Sequence, residues 1–75
     1  MVQPLNTYVF RPVNDEWVNV KGDGELLADV LRSYDLVIDD KCEFARFKDL
    51  ENNLEIWYRV RGALCISIDV WELVS

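Results

Sequence analysis

Apolar and polar residues alternate with period two through most of the stretch from Leu54 to Trp71. Leu54, Ile56, Tyr58 and Val60 alternate with Glu55, Trp57, Arg59 and Arg61. Beyond Gly62, the residues Leu64, Ile66, Ile68 and Val70 alternate with Cys65, Ser67, Asp69 and Trp71. This period, carried by β-branched and aromatic residues, predicts two strands joined at Gly62 as a hairpin. Its register follows from requiring both apolar rows on one face, since a one-residue slip turns every side chain over. A two-residue loop at Gly62 and Ala63 fails that test. A three-residue loop passes it in two ways. With Arg61, Gly62 and Ala63 in the loop, Glu55 faces Asp69. With Gly62, Ala63 and Leu64 in the loop, Val60 faces Ile66 and Trp57 faces Asp69, which avoids the like-charge pair and is preferred. The opposite face then carries Trp57, Arg59, Arg61, Cys65, Ser67, Asp69 and Trp71. Two tryptophans on one such face are either covered by a neighbouring segment or offered to a partner.

The remaining elements are shorter. Thr7-Tyr8-Val9-Phe10-Arg11 reads as a strand closed by Pro12, which lacks a ladder donor and points to a sheet edge or a strand end. Asn14-Asp15 is a turn signal, and Glu16 to Lys21 reads as the second arm of a hairpin. Gly22-Asp23-Gly24 ends it, with Asp23 as a helix N-cap and Glu25 favourable in the first turn. From Glu25 to Tyr34, helical spacing brings Leu27, Val30, Leu31 and Tyr34 to one face, with Leu26 at its margin. About ten residues are too few for an isolated helix, so it is expected to exist by packing on the sheet. Residues 42–47, Cys-Glu-Phe-Ala-Arg-Phe, fit a strand with a bulge near Ala45, because Phe44 and Phe47 differ in phase. The spacing of Phe44, Phe47, Glu51 and Leu54 also fits a helix; the strand is preferred. Lys48 to Asn53 would form the loop into Leu54, and Glu72 to Ser75 would continue the last strand.

The expected fold is therefore α+β: residues 1–75 as a single domain, with an antiparallel sheet of four to five strands, one helix packed on one face, and the order β-β-α-β-β-β. The expected core is Val9, Val18, Val20, Leu27, Val30, Leu31, Ile56, Tyr58, Val60, Ile66, Ile68 and Val70. A chain of 75 residues buries only about 60% of its unfolded surface, so its stability is marginal without help. The 51% apolar content favours a dense core, a dimer or a docking surface.

Charge and chemistry narrow the function classes. The net charge is −6. Residues 15–40 carry eight acids against two bases, so this segment alone accounts for it and should make one side of the surface acidic. The chain contains no histidine. That removes the commonest general base and metal ligand, and leaves the serines and cysteines without their usual activating partner. The carboxylates Asp35, Asp39, Asp40 and Glu43 lack calcium-loop spacing, and Gly22-Asp23-Gly24 lacks the features of a phosphate loop. Neither a catalytic residue, a cofactor nor a metal is expected. Cys42 and Cys65 read as small buried or half-buried hydrophobes with reduced thiols. The amino terminus shows no secretory pattern and no run reaches spanning length, so the chain reads as cytoplasmic, without membrane association.

What remains is binding. The leading expectation is a non-enzymatic inhibitor or adaptor whose acids, Asp23, Glu25, Asp29, Asp35, Asp39 and Asp40, engage the basic surface of a protein partner in place of nucleic-acid phosphates. Anti-CRISPR, anti-restriction and immunity or antitoxin proteins are analogues in size and charge only; no motif ties the chain to a family. The alternative uses Trp57, Arg59, Arg61 and Trp71 to stack single-stranded bases and contact phosphates. Against it stands the net charge, which repels a polyanion unless bases and acids are well separated. A third arrangement is a homodimer, or a subunit of a larger assembly, pairing through the open edge of the first or last strand.

Overall fold

The computed structural model describes residues 3–73. The alternating stretch folds as the hairpin it predicts, strand β4 (Leu54–Val60) and strand β5 (Ile66–Glu72). Its register pairs Val60 with Ile66 and Trp57 with Asp69. The Arg61 N–H donates to the Cys65 carbonyl at 2.7 Å, which leaves Gly62, Ala63 and Leu64 as the loop. Gly62 takes φ +72°, a left-handed geometry that costs glycine little. Ile56 and Ile68 are fully buried and Tyr58 nearly so. Leu73 gives its N–H to the Asn53 carbonyl; the expected continuation through Val74 and Ser75 lies outside the described residues.

Three further strands complete an antiparallel sheet of spatial order β2-β1-β5-β4-β3. These are β1 (Asn6–Val13), β2 (Glu16–Asn19) and β3 (Phe44–Asp49), and the helix α1 (Leu27–Ser33) follows β2. The fold is α+β. The turn between β1 and β2 holds Asn14 and Asp15 at φ 50° and 65°, the two positive dihedrals that a two-residue hairpin turn requires and that Asn and Asp tolerate.

Strand β1 is interior, so of the two readings drawn from Pro12, sheet edge or strand end, the second holds. The pairing of β1 with β5 ends at Phe10 and Ile66, while Pro12 pairs only with Trp17 of β2. The missing N–H therefore costs no bond to β5. With β1 and β5 both interior, neither the first nor the last strand offers an open edge to a second copy; the sheet edges are β2 and β3.

The core corrects the phase of the first hairpin. Tyr8 and Phe10 are buried with Val30, Ile56, Tyr58, Ile66, Ile68 and Val70. Val9 and Val18 take the opposite face by register and Val20 is exposed. Tyr8, Val9 and Phe10 are all apolar, so alternation carries no phase there; pairing of Tyr8 with Ile68 and Phe10 with Ile66 decides it. Leu27, Leu31 and Val60 are half-buried against this core. The Tyr8 and Tyr34 hydroxyls approach to 3.3 Å, and burial, aided by that bond, pushes the Tyr34 phenol up to about 12.

The helix starts later than the N-cap reading of Asp23 implies. Leu26 holds the N-cap position without a side-chain cap and is bridged to Val18 of β2. Glu25 instead turns back, its Oε1 accepting from Asn19 Nδ2 at 3.0 Å and from the Asp23 N–H at 3.1 Å. Asn19 is buried, and its Oδ1 accepts the N–H groups of Val9 and Lys21. At the other end, Asp35 takes φ 57°. Leu36 N–H reaches the Leu31 carbonyl and Asp35 N–H that of Arg32, closing the helix with the paired bonds usually served by glycine.

Strand β3 confirms the strand over the helix for this segment, but without the bulge. Its register with β4 runs unbroken from Phe44 opposite Arg59 to Asp49 opposite Leu54. Phe44 and Phe47 therefore lie on opposite faces. The strand also extends through Lys48 and Asp49, shortening the expected loop. Asp49 holds that turn by accepting the backbone N–H and the side-chain amide of Asn52.

Candidate interaction surface

The sheet face opposite the core is built by register. One row across the strands is Val9, Ser67, Arg59 and Phe44; the next is Thr7, Asp69, Trp57 and Arg46. Trp71, Glu55 and Lys48 form a third row. The two tryptophans anticipated on this face meet, with ring centroids 5.1 Å apart. No strand or helix among the described residues lies over them. Arg46 does, its guanidinium carbon 5.0 Å from the Trp57 ring centroid, while Arg59 lies 5.5 Å from that of Phe44. Both are cation–π arrangements.

Glu55 organises this patch. Its Oε1 accepts from Arg46 Nη2 at 2.6 Å and from Trp57 Nε1 at 2.8 Å. The Arg46 bond, followed by the indole bond, holds the Glu55 carboxyl below its ordinary range. The Trp71 Nε1 is buried without a hydrogen-bond partner, a leftover donor in an otherwise satisfied cluster.

A trough of about 260 Å³ crosses this face between the first two rows. Lys21, Arg59 and Arg61 supply cations to its lining, Trp57 and Phe44 supply rings, and Asp69 supplies a carboxylate. Of the partner residues expected here, Arg59, Arg61 and Trp57 share the trough and Trp71 stands beside Trp57. Asp69 is on this face by the hairpin register, opposite Trp57, whereas nothing in the local sequence brings Phe44, Arg46 and Lys21 to it. Phe44 and Arg46 join the face only because β3 is unbroken and pairs with β4. Lys21 arrives from the opposite side of the sheet, which local spacing does not reveal.

The acids lie elsewhere. Asp23 is exposed at the turn after β2, whereas Glu25 is half-buried and engaged in the Asn19 network. The Glu25 carboxyl is held below its ordinary range by its own backbone N–H first and then by the Asn19 amide. Asp29 pairs with Arg32 at 3.2 Å on the exposed side of α1. Asp35, Asp39 and Asp40 are exposed on the connector that carries the chain from α1 to β3. Asp35 also borders an open groove of about 790 Å³ together with Asp49, Glu51 and Lys48, over apolar Leu36, Phe47 and Leu54.

The result is a segregation of charge. Six of the eight bases (Arg11, Lys21, Arg46, Lys48, Arg59 and Arg61) lie on or beside the open sheet face. Three acids, Glu16, Glu55 and Asp69, share it. The register-placed residues of that face sum to +1, and the trough cations Lys21 and Arg61 bring the total to +3; the remaining two bases and eleven acids, Asp23 beside Lys21 among them, sum to −9.

Among the described residues, no three of His, Cys, Asp and Glu gather closely enough to hold a metal ion. No helix among them is long and apolar enough to cross a membrane. The chain matches no family model, no curated protein and no solved structure.

Proposed function

We propose that this chain is a non-enzymatic, cytoplasmic binding module, an inhibitor or adaptor that engages a protein partner through its acidic side. In this arrangement α1 and the connector cover one face of the sheet and present Asp29, Asp35, Asp39 and Asp40 outward. The partner is a nucleic-acid-processing protein whose basic groove the carboxylates occupy in place of phosphates. The carrying observation is the segregation of charge: the residues off the open sheet face and its trough sum to −9. A field concentrated in that way steers association with a basic surface and makes it strongly salt-dependent. The groove beside Asp35 adds apolar surface next to the carboxylates, which such an interface needs for affinity beyond steering. The free thiols of Cys42 and Cys65 suit a reducing compartment.

The test is inhibition of cleavage by a panel of nucleases, including restriction and CRISPR effector enzymes. The wild-type chain should inhibit a member of the panel, with potency falling as salt rises. A variant carrying Asp35→Lys, Asp39→Lys and Asp40→Lys should lose at least tenfold in potency and most of that salt dependence. Unchanged inhibition by the variant would remove these acids from the interface, and no inhibition anywhere in the panel would remove the inhibitor assignment.

A further inference from the structure

The open sheet face is not used by the acidic interface, and its chemistry differs from a solvated surface. We infer that its trough binds single-stranded nucleic acid, one nucleotide seated with its base against Trp57 or Phe44 and its phosphate among Lys21, Arg59 and Arg61.

Charge complementarity selects this occupant. The −6 net charge would repel a polyanion only if it were spread evenly, whereas this face is +3 and the acids lie on the remaining surface. Salt solution screens charges beyond about 8–10 Å, so a phosphate in the trough responds mainly to the cations lining it. The three cations come from two parts of the chain: Lys21 after β2, and Arg59 and Arg61 at the end of β4.

The second requirement is a stacking surface. Phe44 is about half exposed, at 48%, and one face each of Phe44 and Trp57 is already met by a guanidinium. Arginine and a nucleobase are both flat and both stack on aromatic rings. A base can therefore displace Arg59 from Phe44, and the released guanidinium remains within the same trough to meet the phosphate. Asp69, half-buried in the trough, is an acceptor for an exocyclic amino group on the base edge. The volume, about 260 Å³, lies below the roughly 300–1,000 Å³ of drug-sized pockets and suits a single flat base. Duplex DNA offers no free base face to such a trough, so single strands are preferred.

Tryptophan fluorescence reads the contact directly. Short single-stranded DNA and RNA oligonucleotides, titrated at low and then physiological salt, should quench the emission saturably. Apparent affinity should fall steeply with salt and be at least tenfold weaker for duplex DNA of equal length. The Arg59→Gln, Arg61→Gln double variant should lose at least tenfold and lower the salt slope by roughly 0.7, the share of the one phosphate they meet. Phe44→Ala should weaken binding at an exposed position, with the circular dichroism spectrum of both variants unchanged. The Asp35→Lys, Asp39→Lys, Asp40→Lys variant should keep single-strand binding, which separates this site from the acidic interface. Four results would each overturn the inference: no quenching at low salt, equal binding of polyglutamate, binding of a mononucleotide as tight as of the strand, or full affinity in the arginine variant.

Discussion

Asn19 shows how much one polar side chain can organise. It is 3% exposed at the end of β2, and its amide serves two backbone donors while giving a hydrogen to Glu25. Asn19→Ala should therefore destabilise the chain by about 1–3 kcal/mol, the usual cost of stranding buried hydrogen-bonding groups, seen as a lower urea midpoint at unchanged slope. The carboxyls of Glu25, Asp49 and Glu55 are all held below their ordinary range. A carboxyl depressed in the folded state contributes stability that is complete above its unfolded pKa and is lost as pH falls through the folded one. Urea stability should accordingly be flat near neutrality and decline below about pH 4.5, the ordinary value for glutamate. Glu55→Gln should be less stable than wild type at neutral pH and should converge with it in acid; a constant difference across that range would show that the Arg46 and Trp57 bonds do not depend on the charge.

At the scale of elements, α1 illustrates an ending that is formed correctly by a less favourable residue. Asp35 occupies the left-handed position after the C-cap, which costs an L-residue roughly 1–2 kcal/mol. Glycine avoids that cost but loses roughly 0.5–1 kcal/mol in chain entropy. Asp35→Gly should then stabilise the fold by about 0.5–1 kcal/mol, measured by chemical denaturation. The same variant removes one exposed carboxylate from the proposed interface, so it should be the more stable and the weaker binder. Such an opposition separates a contact role for Asp35 from a folding role. Strand β3 makes a related point at a sheet edge: Arg46 and Lys48 both stand on its open-face side, and charged side chains on an edge strand discourage pairing with another chain.

For the whole molecule, the dominant feature is a +3 face backed by a −9 remainder. Repulsion among the exposed acids opposes folding and is relieved by screening. Raising sodium chloride from low to physiological concentration should raise the melting temperature of the wild type. The increase should be smaller in the Asp35→Lys, Asp39→Lys, Asp40→Lys variant, and a wild-type melting temperature that falls with salt would mean that favourable ion pairs outweigh the repulsion. The two proposed surfaces also predict opposite mutational profiles. Acid reversal acts on the protein partner and arginine neutralisation on the single strand, each sparing the other.

The hairpin of β4 and β5, its three-residue loop and its register were legible in the sequence because each row is chemically unambiguous: apolar on one side, mixed polar and aromatic on the other. The pairing of Val60 with Ile66 follows from that pattern and from avoiding one like-charge contact. The presence of a helix after the Gly-Asp-Gly turn was legible from its spacing, whereas the spacing around Phe44 and Phe47 fits a strand or a helix, and pairing with β4 decides for the strand. The phase of β1 was not legible, because Tyr8, Val9 and Phe10 are all apolar and only pairing with β5 selects which two are buried. The same holds for the site. Trp57, Arg59, Arg61 and Trp71 were visible on one face of one hairpin, but Lys21, Phe44 and Arg46 reach that face from distant segments through strand pairing. Composition and sequence spacing determined the amount of charge and its distribution along the chain. Only the tertiary structure decided its distribution in space, because sheet pairing gathers bases from three strands and the Lys21 and Arg61 segments onto one face, while the acids of the helix and connector remain off it.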